Sequence, residues 1–270
     1  MGTASDHEMA VGQAFDSVAA TYDAVFGAGE RTRRLRNLIH TLIGSLATPS
    51  SHILDINCGT GTDAIALAAM GHSVVGLDIS PLMIKEAKTK SSGMSQVHFL
   101  EGSYRALDSL GIKDFDLVLS NFGGLNCAPD MAELGVQAAH VLNPGGLFVA
   151  VVMPPVSLWD IGSKCARGQF FNAARRAWTG RATAEFDRTS FRVYYHSPSD
   201  LTKSLRPNFR RIDLVGLNIF SPPPHAGTFA ASFPRLSHAL AGLDDIVGSL
   251  PLLRSMGDHY VAVFQKRADR

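Results

Sequence analysis

The sequence predicts an α/β fold in which helices cover both faces of a mostly parallel β-sheet. Between residues 52 and 153, short apolar runs rich in Val, Ile and Leu alternate with amphipathic, helix-like stretches. Strands buried on both faces have this composition, and their alternation with helices is typical of parallel sheets. The chain has 270 residues, of which 46% are hydrophobic and 18% charged, as expected for a globular chain with a substantial core.

The first five strands and the helices between them follow in order from the periodicity of the apolar residues. The predicted strands are 52–56, 73–79, 97–102, 115–122 and 145–153. The predicted helical segments are 62–70, 81–90, a short one near 104–110, and 130–142. Ser80 before Pro81 fits the capped first turn of a helix, and the Asn-Pro-Gly-Gly turn at 143–146 predicts the start of the fifth strand.

The chain outside this core has a different pattern. Residues 9–47 show two helical patterns broken near residues 27–29, and 209–220 and 259–266 are typical of two further strands. Residues 154–190 begin with two prolines and show little regular apolar alternation, which predicts an irregular or helical insertion. We expect one domain over 1–270, divided into an N-terminal helical cap (1–48), a core (49–153), a lid or insertion (154–196) and C-terminal strands and helices of the sheet (197–270).

Composition and charge exclude several classes of function. The net charge is +1, which gives no global electrostatic argument for nucleic acid or an anionic membrane as a partner. The three cysteines are widely spaced and show neither a disulfide framework nor a zinc pattern, so we expect no metal site. The N-terminus does not resemble a signal peptide, and no apolar run approaches the roughly 20 residues that span a bilayer. We therefore expect a cytoplasmic protein.

A glycine loop follows the first predicted strand. Gly59, Thr60 and Gly61 lie between this strand and a helix, where free N–H groups favour anionic or electron-rich ligand atoms. Asp78 ends the second strand, 19 positions after Gly59, and a carboxylate there could accept both hydroxyls of a ribose. The loop and Asp78 together predict a cofactor that contains adenosine. Both a dehydrogenase and a methyltransferase are consistent with this pair.

Two further features favour the methyltransferase. Asp55 precedes Gly59 by four residues, inside the tip of the first strand. A dinucleotide fingerprint does not require an acid at this position, whereas a cofactor that carries an ammonium group would. In addition, FDLVLSNFGGLN at 115–126 is typical of a strand that ends in a polar, glycine-rich mouth.

Several segments together resemble a known family. ILDINCGTGTDAIALA, VVGLDISPLMIKEAK, FDLVLSNFGGLN and LNPGGLFVAVVM resemble the successive motifs of class I S-adenosylmethionine-dependent methyltransferases, and FDSVAATYD resembles the entry segment of their small-molecule type 11, or UbiE-like, branch. The resemblance implies a Rossmann-like, doubly wound sheet of seven strands, mostly parallel, with the last strand antiparallel. It also implies methyl transfer from S-adenosyl-L-methionine to a small-molecule acceptor, with S-adenosylhomocysteine as product. An NAD-dependent dehydrogenase and a catalytically idle S-adenosylmethionine-binding protein are the alternative hypotheses.

The same resemblance implies roles for individual residues. Asp55 would face the ammonium group of the cofactor, and Asp78 would bind the ribose hydroxyls. The other implied cofactor contacts are Gly59, Thr60 and Gly61 along the methionine portion and ribose, Ile79 and Met83 around the adenine, Gly102 and Ser103 at its edge, Asn121 and Phe122 near the sulfonium, and Tyr22 over the cofactor. Two positions depart from the family pattern. Asn57, beside the methionine portion, replaces the first glycine of the loop and Ser103 replaces an acid, although Asn tolerates left-handed backbone angles.

Candidate catalytic residues are fewer. A base is needed only when the acceptor must lose a proton, and positioning alone can supply much of the catalysis. The candidate catalytic residues are Tyr22, Asn121 and His196, the last because VYYHSPSD follows the insertion, where the family places acceptor contacts. His259 begins the last predicted strand, so we expect a structural role for it.

The insertion is rich in basic residues. Between residues 161 and 192, seven basic residues stand against two acidic ones in a nearly neutral chain. One interpretation is an acceptor with an aromatic or apolar body and an acidic group, such as a carboxylate or phosphate; the other is a solvated helix face. The candidate acceptor contacts are Trp159, Arg175, Arg176 and Tyr195. A nucleic-acid surface would need a broader basic patch, so we expect a small-molecule partner.

Overall fold

A computed structural model describes residues 4–173 and 175–268. Its strands are β1 (His52–Ile56), β2 (Ser73–Asp78), β3 (Val97–Glu101), β4 (Phe115–Ser120), β5 (Leu142–Val152), β6 (Arg181–Phe186), β7 (Thr189–Tyr194), β8 (Phe209–Leu217) and β9 (His259–Lys266). Seven of them form one sheet in the order β3-β2-β1-β4-β5-β9-β8. The last strand, β9, runs antiparallel to both of its neighbours, and the pairs among β1 to β5 are parallel. The predicted seven-stranded, Rossmann-like fold class is confirmed.

Eleven α-helices surround this sheet in the described part of the chain. They are α1 (Ala4–Val18), α2 (Glu30–Leu46), α3 (Thr62–Ala69), α4 (Pro81–Lys90), α5 (Met131–Val141), α6 (Leu158–Cys165), α7 (Phe170–Ala173), α8 (Arg175–Thr179), α9 (Pro198–Leu205), α10 (Gly227–Ser232) and α11 (Pro234–Val247). The Ser80 hydroxyl accepts a hydrogen bond from the Met83 N–H, so α4 has the predicted cap. Within residues 4–173 and 175–268, no helix combines the length and apolar character needed to cross a bilayer.

Side chains of the central strands alternate between two apolar layers. In β1, Leu54 and Ile56 belong to the layer under α5 and α9, whereas Ile53 belongs to the layer under α2, α3 and α4. This burial on both faces explains why the strands are near-continuous apolar runs. It also explains why each predicted strand of the sheet lies within three residues of its observed bounds.

The predicted irregular or helical character of residues 154–190 is only partly right. The segment contains α6, α7 and α8, but it also contains most of an antiparallel hairpin formed by β6 and β7. The hairpin turn is Asp187-Arg188, with φ values of 39° and 72°, instead of the Asn-Gly or Asp-Gly pair that signals such turns. Because residues of β6 alternate only between exposed and partly buried positions, the segment lacks the strong apolar alternation from which strands are predicted.

The hairpin packs against the N-terminal cap. Val11 and Ala14 of α1 form a small buried cluster with Phe191 of β7. The Phe15 ring lies 5.4 Å from the Phe186 ring and 5.7 Å from the Phe191 ring, centroid to centroid. A 3₁₀ turn (Ala19–Thr21) and a π-helical turn (Asp23–Gly27) then connect α1 to α2. Cap and hairpin thus form one continuous apolar cover.

Candidate cofactor and acceptor site

A cavity lies at the carboxyl ends of β1, β2 and β4, beneath this cover. Its lining includes Val11, Phe15 and Tyr22 from the cap. The predicted cofactor residues that line it are Tyr22, Asp55, Asn57, Gly59, Thr60, Asp78, Ile79, Asn121 and Phe122. The structure therefore brings together the glycine loop, both strand-tip acids and the mouth that follows β4.

The glycine loop is shaped by three left-handed residues. Asn57, Gly59 and Gly61 have φ values of 60°, 54° and 75°, and Asn is one of the few side chains that adopt this region readily. At Gly61 a Cβ atom would lie 2.5 Å from the ring of Phe99. Gly61 is therefore required by packing below the loop, and it does not itself line the cavity.

Asp78 is held at the rim of the cavity by backbone donors. Its Oδ2 atom accepts from the Gly59 N–H at 2.8 Å, and its Oδ1 atom accepts from the Ser80 N–H at 2.9 Å. Burial raises the pKa of this carboxyl, although these backbone hydrogen bonds oppose the rise. The two carboxylate oxygens together offer about four acceptor directions, so acceptor capacity remains for a hydroxyl donor.

Asp55 is a buried acid with a free oxygen. Its side chain lines the cavity, and its Oδ2 atom is fully buried with no hydrogen-bond partner in the described part of the chain. Burial and the negative charge of Asp63 hold the pKa of Asp55 well above its usual range. An unpartnered buried acid is costly, and a cationic ligand group beside it would remove that cost.

A buried ion-pair network joins the cap to the loop. Asp63, at the start of α3, accepts from Arg36 Nη1 of α2 and contacts His40 Nε2 at 2.8 Å. Asn121 Nδ2 donates to the same carboxylate at 3.1 Å. Although burial raises the pKa of Asp63, His40 and Arg36 outweigh it and lower this pKa below its ordinary value. The Arg36 guanidinium also stacks on the Phe122 ring at 4.5 Å from its centroid.

Arg36 and Asp63 line the cavity, and sequence reasoning missed both. Their pairing spans 27 positions and two separate helices. No local motif joins them, so only the folded arrangement identifies them as site residues.

A second set of contacts ties the cap to the same loop. Asp23 accepts from Thr60 Oγ1 and from Lys90 Nζ, each at 2.6 Å. The adjacent Tyr22 lines the cavity, and burial raises its pKa to about 12. Its phenol therefore keeps its proton near neutral pH and can donate a hydrogen bond but not act as an ionised base.

Several predicted residues lie outside the cavity. Met83 of α4 is fully buried and, like Gly102 and Ser103, does not belong to the lining. The Ser103 hydroxyl donates to Glu8 Oε1 of α1 at 2.5 Å. His196 is not brought to the cavity either, because its Nε2 atom lies 3.1 Å from the Ala128 carbonyl oxygen. The roles suggested for these residues stay predictions.

A second cluster forms where α6 and α8 meet the start of β9. The Arg176 guanidinium stacks on the Tyr195 ring at 4.4 Å from its centroid, and its Nη1 atom lies 3.6 Å from Asp258 Oδ1. Its Nε and Nη2 atoms are buried without a hydrogen-bond partner among the described residues. Arg175 is exposed, and Trp159 packs edge-on against Phe229 at 4.9 Å. The structure therefore brings together only Arg176 and Tyr195 of the four candidate acceptor contacts.

The cluster continues into a neighbouring acid and histidine. Asp258 is buried, and its Oδ2 atom lies 2.9 Å from His259 Nδ1. Although burial raises the pKa of Asp258, His259 and Arg176 outweigh it and hold this pKa far below its usual range. The His259 ring meets the Phe122 ring edge-on at 6.4 Å, and Phe122 lines the cavity described above, so the cluster adjoins that cavity. Sequence reasoning expected only a structural role for His259.

Comparison with known proteins gives a consistent set of similarities. A family model of a methyltransferase domain matches residues 53–146. The chain is 35% identical over 138 residues to the demethylmenaquinone methyltransferase of Renibacterium salmoninarum, covering 50% of this chain and 55% of that protein. It is 32% identical over 192 residues to the demethylmenaquinone methyltransferase of Clavibacter sepedonicus, covering 62% of this chain and 78% of that protein. The chain thus spans about half the length of the first relative and over three quarters of the second.

Solved structures share the fold at low sequence identity. The CcbJ methyltransferase from Streptomyces caelestis has a TM-score of 0.62 and 19% identity, covering 94% of this chain and 98% of that chain. The [4+2]-cyclase SpnF has a TM-score of 0.61 and 16% identity, covering 96% of both chains. Because one of these neighbours is a cyclase, the likeness shows the fold and leaves the reaction to be argued from the site.

Proposed function

The chain belongs to the class I S-adenosylmethionine-dependent methyltransferases, in their UbiE-like branch, and on that premise we propose that it transfers a methyl group from S-adenosylmethionine to a small molecule. The observation that carries this proposal is Asp55, a buried acid with one unpartnered oxygen in a cavity at the carboxyl ends of the strands. An ammonium group is the complement that such an acid requires. Both curated relatives described above are methyltransferases, so neither alternative hypothesis is favoured.

The residues present fit this cofactor. Asp55 would bind its ammonium group, Asp78 its ribose hydroxyls, and the Gly59 segment would allow close approach of its methionine portion. Ile79 supplies an apolar wall of the cavity. When bound, S-adenosylmethionine supplies a methyl group made electrophilic by a positively charged sulfur.

The cap residues would act mainly by excluding water. Phe15 and Tyr22 line the cavity from the cap, and Phe122 lines it next to His259 of the Arg176 cluster. A dry, enclosed site strengthens every electrostatic contact within it. Tyr22 keeps its proton and can donate it in a hydrogen bond, which suits a role in orientation.

Binding and transfer assays test the proposal directly. Isothermal titration should give binding of S-adenosylhomocysteine and none of NADH, and labelled S-adenosylmethionine should transfer its methyl group to a member of a panel of phenols, hydroxy acids, amines and quinones. Tight NADH binding without S-adenosylhomocysteine binding would establish the dehydrogenase. Binding of S-adenosylhomocysteine without transfer to any acceptor would instead favour the idle cofactor-binding protein.

Asp55→Asn is expected to stabilise the ligand-free protein at neutral pH and to weaken S-adenosylhomocysteine binding by roughly 10- to 100-fold, the loss of one hydrogen bond to a charged group. Folding raises the pKa of the Asp55 carboxyl. Below the unfolded pKa of about 3.9 the carboxyl is protonated in both states, and its contribution to stability is complete. This contribution is lost as the pH rises towards the folded pKa, because ionisation favours the unfolded state. The stability gain of Asp55→Asn should therefore be absent below about pH 4 and appear above it.

Urea unfolding of the wild type and Asp55→Asn across this pH range measures the stability change, and calorimetry measures the affinity. For the wild type, affinity should rise with pH until Asp55 is ionised. A variant that is less stable at every pH, or that binds S-adenosylhomocysteine as tightly as the wild type, contradicts the assignment.

We further propose that the acceptor carries an acidic group. The two curated relatives are named for demethylmenaquinone, but the family model ends at residue 146, before the insertion that holds Arg176. Arg176 supports this proposal, because its Nε and Nη2 atoms are buried donors without a partner among the described residues. An arginine fork of this kind suits a carboxylate or phosphate.

Arg176→Ala is expected to raise the acceptor KM by about 10- to 100-fold, as for the loss of hydrogen bonds to a charged group. Arg175→Ala is the matched comparison, because the same side chain is exposed one position earlier; we expect less than a threefold change. Initial-rate kinetics with the acceptor found in the screen give both values. Equal effects of the two variants, or none, would show that the basic residues form only a solvated surface.

The wider organisation is also a proposal. We propose that residues 1–48 act as a cap, 49–153 as the cofactor-binding core, 154–196 as a lid over the acceptor, and 197–270 as the completing part of the sheet. We also propose a cytoplasmic location, consistent with the reducing environment that three unpaired cysteines suit.

A further inference from the structure

The start of β9 lies at the same edge of the sheet as the cofactor cavity. β9 runs antiparallel to β5, and Tyr260 pairs with Val152 at the carboxyl end of that strand. His259, one residue earlier, therefore lies at the edge where Asp55 and Asp78 stand at or next to the carboxyl ends of their strands. Its ring contacts Phe122, a residue of the cavity lining.

The two ring nitrogens of His259 have different surroundings. Nδ1 lies 2.9 Å from Asp258 Oδ2, a close charge contact that is not aligned as a regular hydrogen bond. Nε2 points towards Gly123, where a Cβ atom would lie 3.8 Å from it. In the described part of the chain Nε2 has no hydrogen-bond partner, and it is not among the fully buried unpartnered atoms. A buried carboxylate thus lies against one nitrogen, and the other is left free beside the cavity.

We propose that His259 is the catalytic base that removes the proton of an acceptor hydroxyl, and that Asp258 is its positioning residue. This inference rests on the proposed methyltransferase function. A carboxylate beside Nδ1 favours the tautomer with the proton on Nδ1, which leaves the Nε2 lone pair available. The same carboxylate stabilises the imidazolium once it forms.

The proton transfer is balanced within the acceptor and His259. The O–H bond of the acceptor breaks, its proton bonds to Nε2, and its electron pair stays on the oxygen, which is the atom that receives the methyl group. The proton then leaves His259 to solvent after turnover. Deprotonation matters for a hydroxyl because a neutral alcohol or phenol is a weak nucleophile, whereas a neutral amine needs no such step.

The groups around Asp258 indicate which hydroxyl-bearing acceptors would fit, and they favour a hydroxy acid. Arg176 contacts the far oxygen of the Asp258 carboxylate at 3.6 Å, so guanidinium and imidazole flank the same acid. The free Nε and Nη2 donors of Arg176 suit the acidic group of the acceptor, and Nε2 of His259 suits its hydroxyl. His225 also lowers the pKa of Asp258, and Asp160 Oδ2 lies 4.0 Å from Arg176 Nη1.

A first experiment reads the tautomer without needing the acceptor. Histidine side-chain ¹H–¹⁵N spectra of the full chain with S-adenosylhomocysteine should contain one neutral imidazole protonated on Nδ1, whose signals are lost in His259→Gln. Asp258→Asn should move that imidazole towards the Nε2-protonated form. A wild-type His259 protonated on Nε2 overturns the proposal, because the lone pair would then face Asp258.

A second experiment measures methyl transfer to hydroxy acids, with the isomeric hydroxybenzoates and the matching aminobenzoates among the probes. His259→Ala should lower kcat about 10²- to 10⁴-fold, the usual contribution of a general base, and added imidazole should restore part of the rate. The affinity of the His259→Ala variant for S-adenosylhomocysteine should stay within threefold of the wild-type value. His98→Gln is the control, because His98 is exposed on β3, far from the acceptor cluster in sequence and sheet order.

The outcomes separate this inference from the proposed function. Failure of S-adenosylhomocysteine to bind the wild type would remove the proposed function itself. Binding with transfer only to amines or to carbon, or a loss of rate in His196→Gln and not in His259→Ala, would overturn the role of His259 alone. A rate in His259→Ala that matches the wild type would do the same.

Discussion

Asp78→Ala is expected to lower the affinity for S-adenosylhomocysteine by on the order of 10²- to 10⁴-fold. The carboxylate would accept two ribose hydroxyls, and each hydrogen bond to a charged group contributes roughly 1.5–3 kcal/mol. A loss of about 3–6 kcal/mol corresponds to that range at 1.4 kcal/mol for each tenfold change. The substitution also leaves the Gly59 N–H without its acceptor at 2.8 Å, so the loop itself becomes less well ordered.

Isothermal titration of the wild type, Asp78→Ala and Asp78→Asn would measure this effect. The asparagine variant keeps the shape and one carbonyl acceptor, so we expect an intermediate affinity. Circular dichroism and thermal unfolding identify any general loss of structure. Affinity that is unchanged in a folded Asp78→Ala protein excludes the ribose role.

The largest expected effect on stability is that of Asp63→Asn. The Asp63 carboxylate neutralises Arg36, contacts the His40 ring and accepts a hydrogen bond from the Asn121 amide in a buried network. Removing one partner of a buried pair leaves an uncompensated charge and costs about 3–5 kcal/mol. For a chain of this size the midpoint of thermal unfolding should fall by roughly 10 °C. Asp245→Asn is the matched control: its pair with Arg34 is solvent-exposed and should contribute less than about 1 kcal/mol.

The same comparison has a defined pH dependence. Folding lowers the pKa of Asp63, so the ionised group stabilises the native state above its unfolded pKa of about 3.9, and this contribution is lost as the pH falls through the folded value. The stability difference between wild type and Asp63→Asn should therefore be greatest at neutral pH and shrink below about pH 4. Urea unfolding between pH 3 and 7 measures it, and a difference that does not depend on pH would contradict the charged role of Asp63.

Most of the fold could be predicted from the sequence because its signals are local. Each strand of the sheet is a short apolar run, and its burial on both faces makes that run easy to recognise. The grouping of Asp55, the glycine loop and Asp78 around one cavity could also be predicted, since they lie within 24 consecutive residues; their roles in cofactor binding stay a proposal. The β6–β7 hairpin could not, because its strands are only partly buried and its turn lacks glycine.

The acceptor half depends on contacts between distant segments. Arg175 and Arg176 are chemically identical neighbours, and only the rotation of α8 decides which one is buried against Tyr195. Likewise, the Asp258-His259 pair is recognised as part of the site only because His259 contacts Phe122, which lies more than 130 positions earlier. The spacing of residues along the sequence does not reveal such pairings. Nothing in the sequence around His259 therefore distinguishes a structural histidine from a catalytic one.

The cover over the cofactor cavity has a consequence for turnover. The cavity is partly open to solvent and has a volume of about 90 Å³. Because this is well below the roughly 300 Å³ at the lower end of ligand pockets, we expect the cap to move relative to the loop when the cofactor enters and its product leaves. The hydrogen bonds of Asp23 to Thr60 and of Asp63 to Arg36 connect the cap to the loop and α3, so they should also slow the release of product. Variants that weaken these contacts should therefore be less stable but should release product faster, because the same contacts contribute both to stability and to closure of the site.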